Sequence, residues 1–105
     1  MTINGKEVDF RISNLEHASK MELALQHMEK AEHDILNLKE GTPLSEALRK
    51  MIAVFRDFFV ETTGVDVLED CQDLEDAKQV YSDFLVEVKK QKEVVLAPFS
   101  LDQIE

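Results

Sequence analysis

Residues 42–64 read TPLSEALRKMIAVFRDFFVETTG, and this stretch decides the fold of the chain. Three of the chain's six phenylalanines lie within it, and aromatic side chains bury the most apolar area per residue. Its apolar residues recur at steps of three and four, as on one side of an α-helix. The stretch therefore predicts a central amphipathic helix with Phe55 and Phe58 in the core. The residues of the stripe are Leu44, Leu48, Met51, Phe55 and Phe58.

The ends of this central helix also have sequence signals. Thr42 is a suitable N-cap, and Pro43 is suited to the first helical position because its missing N–H has no partner there. Gly64 is suited to the left-handed position that follows many helices. These residues predict a helix over 43–63.

The N-terminal residues 2–12 predict a short β-hairpin. Asn4-Gly5 is a typical two-residue hairpin turn, and the apolar residues after it alternate with polar ones. Two strands alone are only marginally stable in water. The second arm therefore either rests on the helices, which we favour, or pairs with another chain. Its apolar residues are Val8, Phe10 and Ile12.

A first helix is predicted over 14–40. Ser13 and Glu16 have the spacing of a capping box, and Gly41 follows the last periodic residue. A helix of this length is about 40 Å long, which exceeds the roughly 33 Å diameter of a compact domain of 105 residues. The first helix should therefore protrude, bend or be covered by another subunit.

A third helix is predicted over 72–96, after an acidic connection. We expect it to end before Pro98, because the residue preceding a proline disfavours helical geometry. Residues 98–105 then form a tail whose apolar residues could dock as an arm: Phe99, Leu101 and Ile104. The predicted fold is a mostly α single domain over 1–105, with a short N-terminal β-hairpin followed by three helices.

Composition limits the class of protein. The formal net charge is −10, which argues against nucleic acid as a partner, and residues 65–105 contain eleven acids and four bases. No apolar run reaches the roughly 18 residues needed to span a membrane. The N-terminus has no signal-peptide pattern, so we expect an intracellular protein. Cys71 is the single cysteine and is expected to be structural.

Catalytic and metal chemistry have little support in the sequence. His17, His27 and His33 would point in different directions on one helix, since His27 and His33 lie about 120° apart. The acids after Val65 lack the central glycine of a calcium loop. No nucleophile motif or phosphate-binding loop occurs. We therefore expect no enzyme activity, no metal and no cofactor.

Two segments resemble a known family. INGKEVDFRI at residues 3–12 and VFRDFFVETTG at residues 54–64, with an acidic segment and a final helix after them, resemble small tail-morphogenesis proteins of phages and prophages, grouped with tail assembly chaperones. The resemblance implies a non-enzymatic helical protein in the bacterial host cytoplasm. Such a protein self-associates and coats a long helical tape-measure protein before the tail tube polymerises. A glycine-rich loop expected after the aromatic helix is absent, because Gly64 stands alone.

The sequence thus predicts a protein that binds other proteins and forms a homo-oligomer. We expect a second apolar face on the first helix, used by another subunit or by a helical client. Its expected residues are Leu25, Met28, Ile35 and Leu38. The alternative is a stand-alone acidic regulator or inhibitor that binds a basic protein. Salt would separate the two, because charge-dominated binding weakens as ionic strength rises.

Overall fold

A computed structural model describes residues 1–100, with the backbone alone for Ser100. Three helices follow a small antiparallel hairpin, so the predicted mostly α fold is confirmed. In the hairpin Thr2 pairs with Glu7 and Ile3 with Lys6. The elements in chain order are β1 (Thr2–Ile3), β2 (Lys6–Glu7), α1 (Leu15–Leu36), α2 (Leu44–Thr63) and α3 (Leu74–Ser100).

The helix α2 supplies the centre of the core. Phe59 is 0% exposed and Phe58 is 1% exposed, whereas Phe55 is only half-buried. The prediction is therefore confirmed for Phe58 and wrong for Phe55. Both buried rings contact Phe84 of α3 edge-on, with centroids 5.8 Å (Phe58) and 5.4 Å (Phe59) away. Such edge contacts add to the stabilisation that apolar burial provides.

The ends of α2 differ from the prediction on one side only. The helix begins at Leu44 with Pro43 in the N-cap position, where no side chain caps it. The Thr42 hydroxyl instead donates to the carbonyl of Lys39, at 2.6 Å. Gly64 has φ 76° and ends the helix in the left-handed conformation, as predicted.

The N-terminal segment packs within the chain, as favoured from its pattern. Asn4 and Gly5 have positive φ values of 50° and 80° and form the turn. Only two residues per strand pair, so the predicted strand over residues 8–12 is wrong. The alternation was nevertheless informative, because Val8 and Phe10 are buried. Phe10 stacks on His17 and meets Phe84 edge-on, so core packing holds this segment without further strand pairing.

The helix α1 is shorter than predicted at both ends. Its N-cap is Asn14 and not Ser13, since the Asn14 side-chain oxygen accepts from the His17 backbone N–H at 3.1 Å. It ends at Leu36, four residues before the predicted end. The Asn37 side chain donates to the carbonyl of His33 at 2.9 Å. Asparagine competes for backbone groups in this way, which favours helix ends over helix interiors.

The connection between α2 and α3 is tied to the hairpin. Val67 and Leu68 are each 1% exposed, and the Asn4 side chain donates to the Val67 carbonyl at 2.7 Å. Lys6 forms an ion pair with Glu69 at 2.8 Å. The acidic connection is therefore partly a structural clamp that positions the start of α3.

The helix α3 begins at Leu74 and continues through Pro98 to Ser100, so its predicted end before Pro98 is wrong. A proline removes one backbone hydrogen bond, here to the carbonyl of Val94. The free-energy cost of the lost hydrogen bond is small here, because Pro98 and Val94 are both exposed and the Val94 carbonyl can bond to water. Phe99 belongs to this helix and is not docked as an arm. Leu101 and Ile104 lie outside the described residues.

The molecule is elongated, with extents of 58 × 28 × 22 Å. Its radius of gyration is 16.1 Å, against roughly 13 Å for a compact domain of this length. The 27 residues of α3 account for this, since they form a rod of about 40 Å. Among residues 1–100, no helix has the length and apolar character needed to cross a bilayer.

Candidate protein-interaction surface

The second half of α3 extends beyond the rest of the molecule. Ala77, Phe84 and Val88 are buried against the body, and Gln91 is the last half-buried residue of the helix. The Gln91 side-chain oxygen accepts from the Ile12 backbone N–H at 3.0 Å. From Lys92 to Phe99 every residue is exposed. The covered part of α3 therefore ends at Gln91.

The apolar pattern of α3 does not end there. Residues at helical spacing continue the inward-facing side past the last covered turn, over an arc of about 100°. Val95 is 38% exposed, Leu96 52% and Phe99 65%. Contiguous apolar surface of this kind usually marks an interaction site. We call this side the distal stripe; its exposed residues are Leu85, Lys92, Val95, Leu96 and Phe99.

Most of the distal stripe lies in a basic segment of an acidic protein. Residues 89–99 contain three lysines and one glutamate, a net charge of +2, whereas the whole chain carries −10. Lys92 lies within the stripe, where its methylene groups extend the apolar surface. The segment is therefore suited to contact an acidic surface that also offers apolar area.

An open apolar groove lies at the opposite end of α3. It has a volume of about 330 Å³ and is formed where the end of α1, the middle of α2 and the start of α3 meet. Leu36 is 83% exposed at its edge, and Glu32 and Lys78 border it. We call it the proximal groove; its apolar residues are Ile35, Leu36, Met51, Val54, Phe55 and Leu74.

Tyr81 lies between these two surfaces. Its ring packs on Phe55, with centroids 5.3 Å apart, and on Phe58, at 5.2 Å. Burial raises the pKa of the Tyr81 phenol above its usual value of 10.0, and the negative charge of Glu32 raises this pKa further. Glu32 of α1 and Lys78 of α3, which is one helical turn before Tyr81, border the same groove.

This arrangement predicts the alkaline behaviour of the protein. The folded-state pKa of Tyr81 is raised, so its contribution to stability is present below the unfolded-state pKa of about 10. That contribution is lost as the pH rises through the folded-state value. The ultraviolet absorbance of the phenolate should show a midpoint above that of free tyrosine, and Glu32→Gln should lower it. Glu29→Gln is the control on the same helix, and an equal effect there would contradict the proximity of Glu32.

The four residues predicted to form a binding face on α1 do not form one. Met28 is 5% exposed and belongs to the core. Leu25 and Ile35 are half-buried against it, and Leu38 is half-buried beyond the end of α1. Leu25, Met28 and Ile35 lie on the inward side of α1 because α2 packs along that side. Only Ile35 borders a candidate surface, the proximal groove.

The distal stripe was missed although its signal was present. Residues at steps of three and four run without a break from Leu74 to Val95, but the predicted helix end before Pro98 separates Phe99 from them. The predicted boundary therefore places Phe99 in the tail and not on the third helix. The regular pattern reaching well past the other helices was the signal that could have identified it.

The histidines and the acidic residues have other roles. The His17 ring accepts from the Arg11 backbone N–H, and His27 contacts Glu61 of α2. Asp66 pairs with Arg56, at 2.6 Å. Among the described residues, no three histidine, cysteine or acidic side chains come together as a metal site. Cys71 is half-buried, and its thiol donates to the carbonyl of Asp73.

The fold and surface define a small helical domain with a clamped N-terminal hairpin and one helix that extends beyond the core. Comparison with protein-family models, curated proteins and solved structures finds no match to this chain.

Proposed function

We propose that this chain is a non-enzymatic protein-binding and assembly factor that acts through the exposed half of α3. The observation that supports the proposal most directly is the distal stripe, where Val95, Leu96 and Phe99 are exposed on one side of a helix. Keeping apolar surface exposed weakens solubility, and a protein in a cell tolerates it where a partner covers it. The acidic remainder of the chain keeps the free protein soluble.

The resemblance to tail assembly chaperones fits this proposal. A chaperone for a long helical client needs apolar surface and no chemistry. A single extended helix provides such surface because it can pack lengthwise against another helix. We therefore propose that the chain self-associates and shields a tape-measure-type client in the cytoplasm of a bacterial host.

A model peptide tests the binding surface. The probe is a fluorescent amphipathic helix with a leucine face and an uncharged glutamine face, followed by anisotropy. We expect binding that changes little between about 0.1 and about 0.5 M salt, because apolar contacts are not screened. Leu96→Lys and Phe99→Lys should each weaken binding about tenfold or more. Peptide binding that is absent at protein concentrations where light scattering shows a monomer, or that is unaffected by both variants, would overturn the proposal.

Val94→Lys is the matched control. Val94 is 75% exposed on the same helix and lies about 160° from Leu96, off the distal stripe. The Val94→Lys substitution adds the same charge outside the distal stripe. The variant should therefore bind the peptide with the affinity of the unmodified protein.

The acidic-regulator alternative makes a different prediction. Asp66 and Glu69 are already paired with Arg56 and Lys6, so part of the acidic connection serves the fold. Its exposed carboxylates would bind a lysine-faced peptide in preference to the leucine-faced one. That binding would fall steeply with salt and would not depend on Leu96 or Phe99.

A further inference from the structure

We propose that a second copy of this chain covers the distal stripe, by antiparallel pairing of the two α3 helices. In this arrangement the distal stripe of each copy enters the proximal groove of the other. The inference rests on the proposed self-association and specifies its geometry. Three features of the chain support it: charge, register and area.

Charge favours a second copy as the occupant. Apart from the +2 segment at residues 89–99, the chain carries −12, so two copies repel each other at most orientations. Contact between this basic segment and an acidic part of the other copy replaces the repulsion with attraction. Glu32 borders the proximal groove, and residues 74–86 of α3 contain three acids and one base, a net charge of −2. The basic end of one helix therefore complements the acidic start of the other.

Register favours the antiparallel direction. Leu74 in the proximal groove and Phe99 in the distal stripe are the two ends of the apolar pattern, and the midpoint between them lies near residue 87. Pairing about this midpoint places Phe99 opposite Leu74 of the other copy and Leu96 one residue from its Lys78. Both residues then reach the proximal groove. A parallel pair would instead bring the lysines of both copies together and leave both grooves open.

The same register gives Lys92 a partner. It places Lys92 beside Tyr81 of the other copy, one helical turn from Lys78, which borders the proximal groove together with Glu32. Lys92 then forms an ion pair with Glu32 and lies near the aromatic ring of Tyr81, and both contacts favour an ammonium group. Twofold symmetry makes each contact occur twice.

The area is sufficient for a dimer. A fully exposed large side chain presents roughly 150–250 Å². At the exposures of Leu36, Leu85, Val95, Leu96 and Phe99, each copy contributes on the order of 500 Å². Complete coverage of these side chains in both copies would bury about 1,000 Å², which is the range where specific interfaces begin.

A charge exchange tests the contact. Light scattering and sedimentation should show a dimer of the unmodified protein at micromolar concentration. Lys92→Glu and Glu32→Lys, both at exposed positions, should each raise the dissociation constant about tenfold. The combined variant should return to within about threefold of the original. Lys90→Glu is the control, because Lys90 lies on the other side of α3 and should change the constant about twofold or less.

A cross-link tests the direction. In a Cys71→Ser background, a chain with both Lys78→Cys and Leu96→Cys should form disulfide-linked dimers under mild oxidation. Within one chain these positions are about 27 Å apart along α3, so no internal bridge can form. Neither single variant should cross-link. Efficient cross-linking by Leu96→Cys alone would indicate parallel packing and overturn the proposal.

The failure of this pairing is distinguishable from failure of the proposed function. A strict monomer, or a charge exchange without restoration, would overturn the pairing. If that monomer still bound the leucine-faced peptide through Leu96 and Phe99, the protein-binding function would stand without it.

Discussion

Phe59→Ala is expected to lower the free energy of unfolding by about 3–5 kcal/mol, because it removes a buried aromatic ring and leaves a cavity. Phe59 is 0% exposed, and its ring lies 5.4 Å from those of Phe58 and Phe84. The three rings come from two helices, so their neighbours cannot close the cavity without moving a helix. A domain of this size has a total stability of roughly 5–15 kcal/mol, so this loss is a large share of it.

Urea unfolding followed by circular dichroism measures this loss. Val60→Ala is the control, because the neighbouring Val60 is 42% exposed and should lose less than about 1 kcal/mol. Phe55→Ala should fall between the two, since Phe55 is half-buried and contacts Tyr81. An unchanged urea midpoint for Phe59→Ala would contradict the packing of α2 against α3.

Met28→Lys is expected to unfold the protein or bring it close to unfolding. Met28 is 5% exposed in the core, and an unpaired ammonium group there costs several kcal/mol. This outcome differs from that expected of a binding-face residue, where the same substitution would abolish association and leave the fold intact. The thermal midpoint and the helical signal measured together at low concentration distinguish the two.

Leu23→Lys is the control for Met28→Lys. Leu23 lies on the same helix, is 49% exposed and is about 140° away around the helix axis. It should change the free energy of unfolding by about 0.5 kcal/mol or less. A Met28→Lys variant as stable as Leu23→Lys would return Met28 to the surface and restore the binding face predicted on α1.

The candidate surface could be predicted from the sequence only in part. The sequence contains more apolar residues than one side of each helix can hold, and Leu36, Val60 and Val94 are exposed. Which of them form a shared surface depends on where the other helices end. The helix α1 ends at Leu36, and the Ile12 backbone N–H bonds to the Gln91 side chain. Both features belong to the tertiary structure. Periodicity alone predicts the second apolar face on α1, but α2 covers that side of α1.

The sequence by itself determined the element order, the helical class, the Asn4-Gly5 turn, the end of α2 at Gly64 and the burial of Phe58. Each depends on local conformational preference or on a period along one element, and both are written in neighbouring residues. The tertiary structure alone decided that Phe59 is more buried than Phe55, that Met28 is core, and that α3 continues through Pro98 beyond the body. These outcomes depend on which side of a helix meets another helix and how far the contact extends. Such contacts join residues far apart in the chain, so no local pattern contains them.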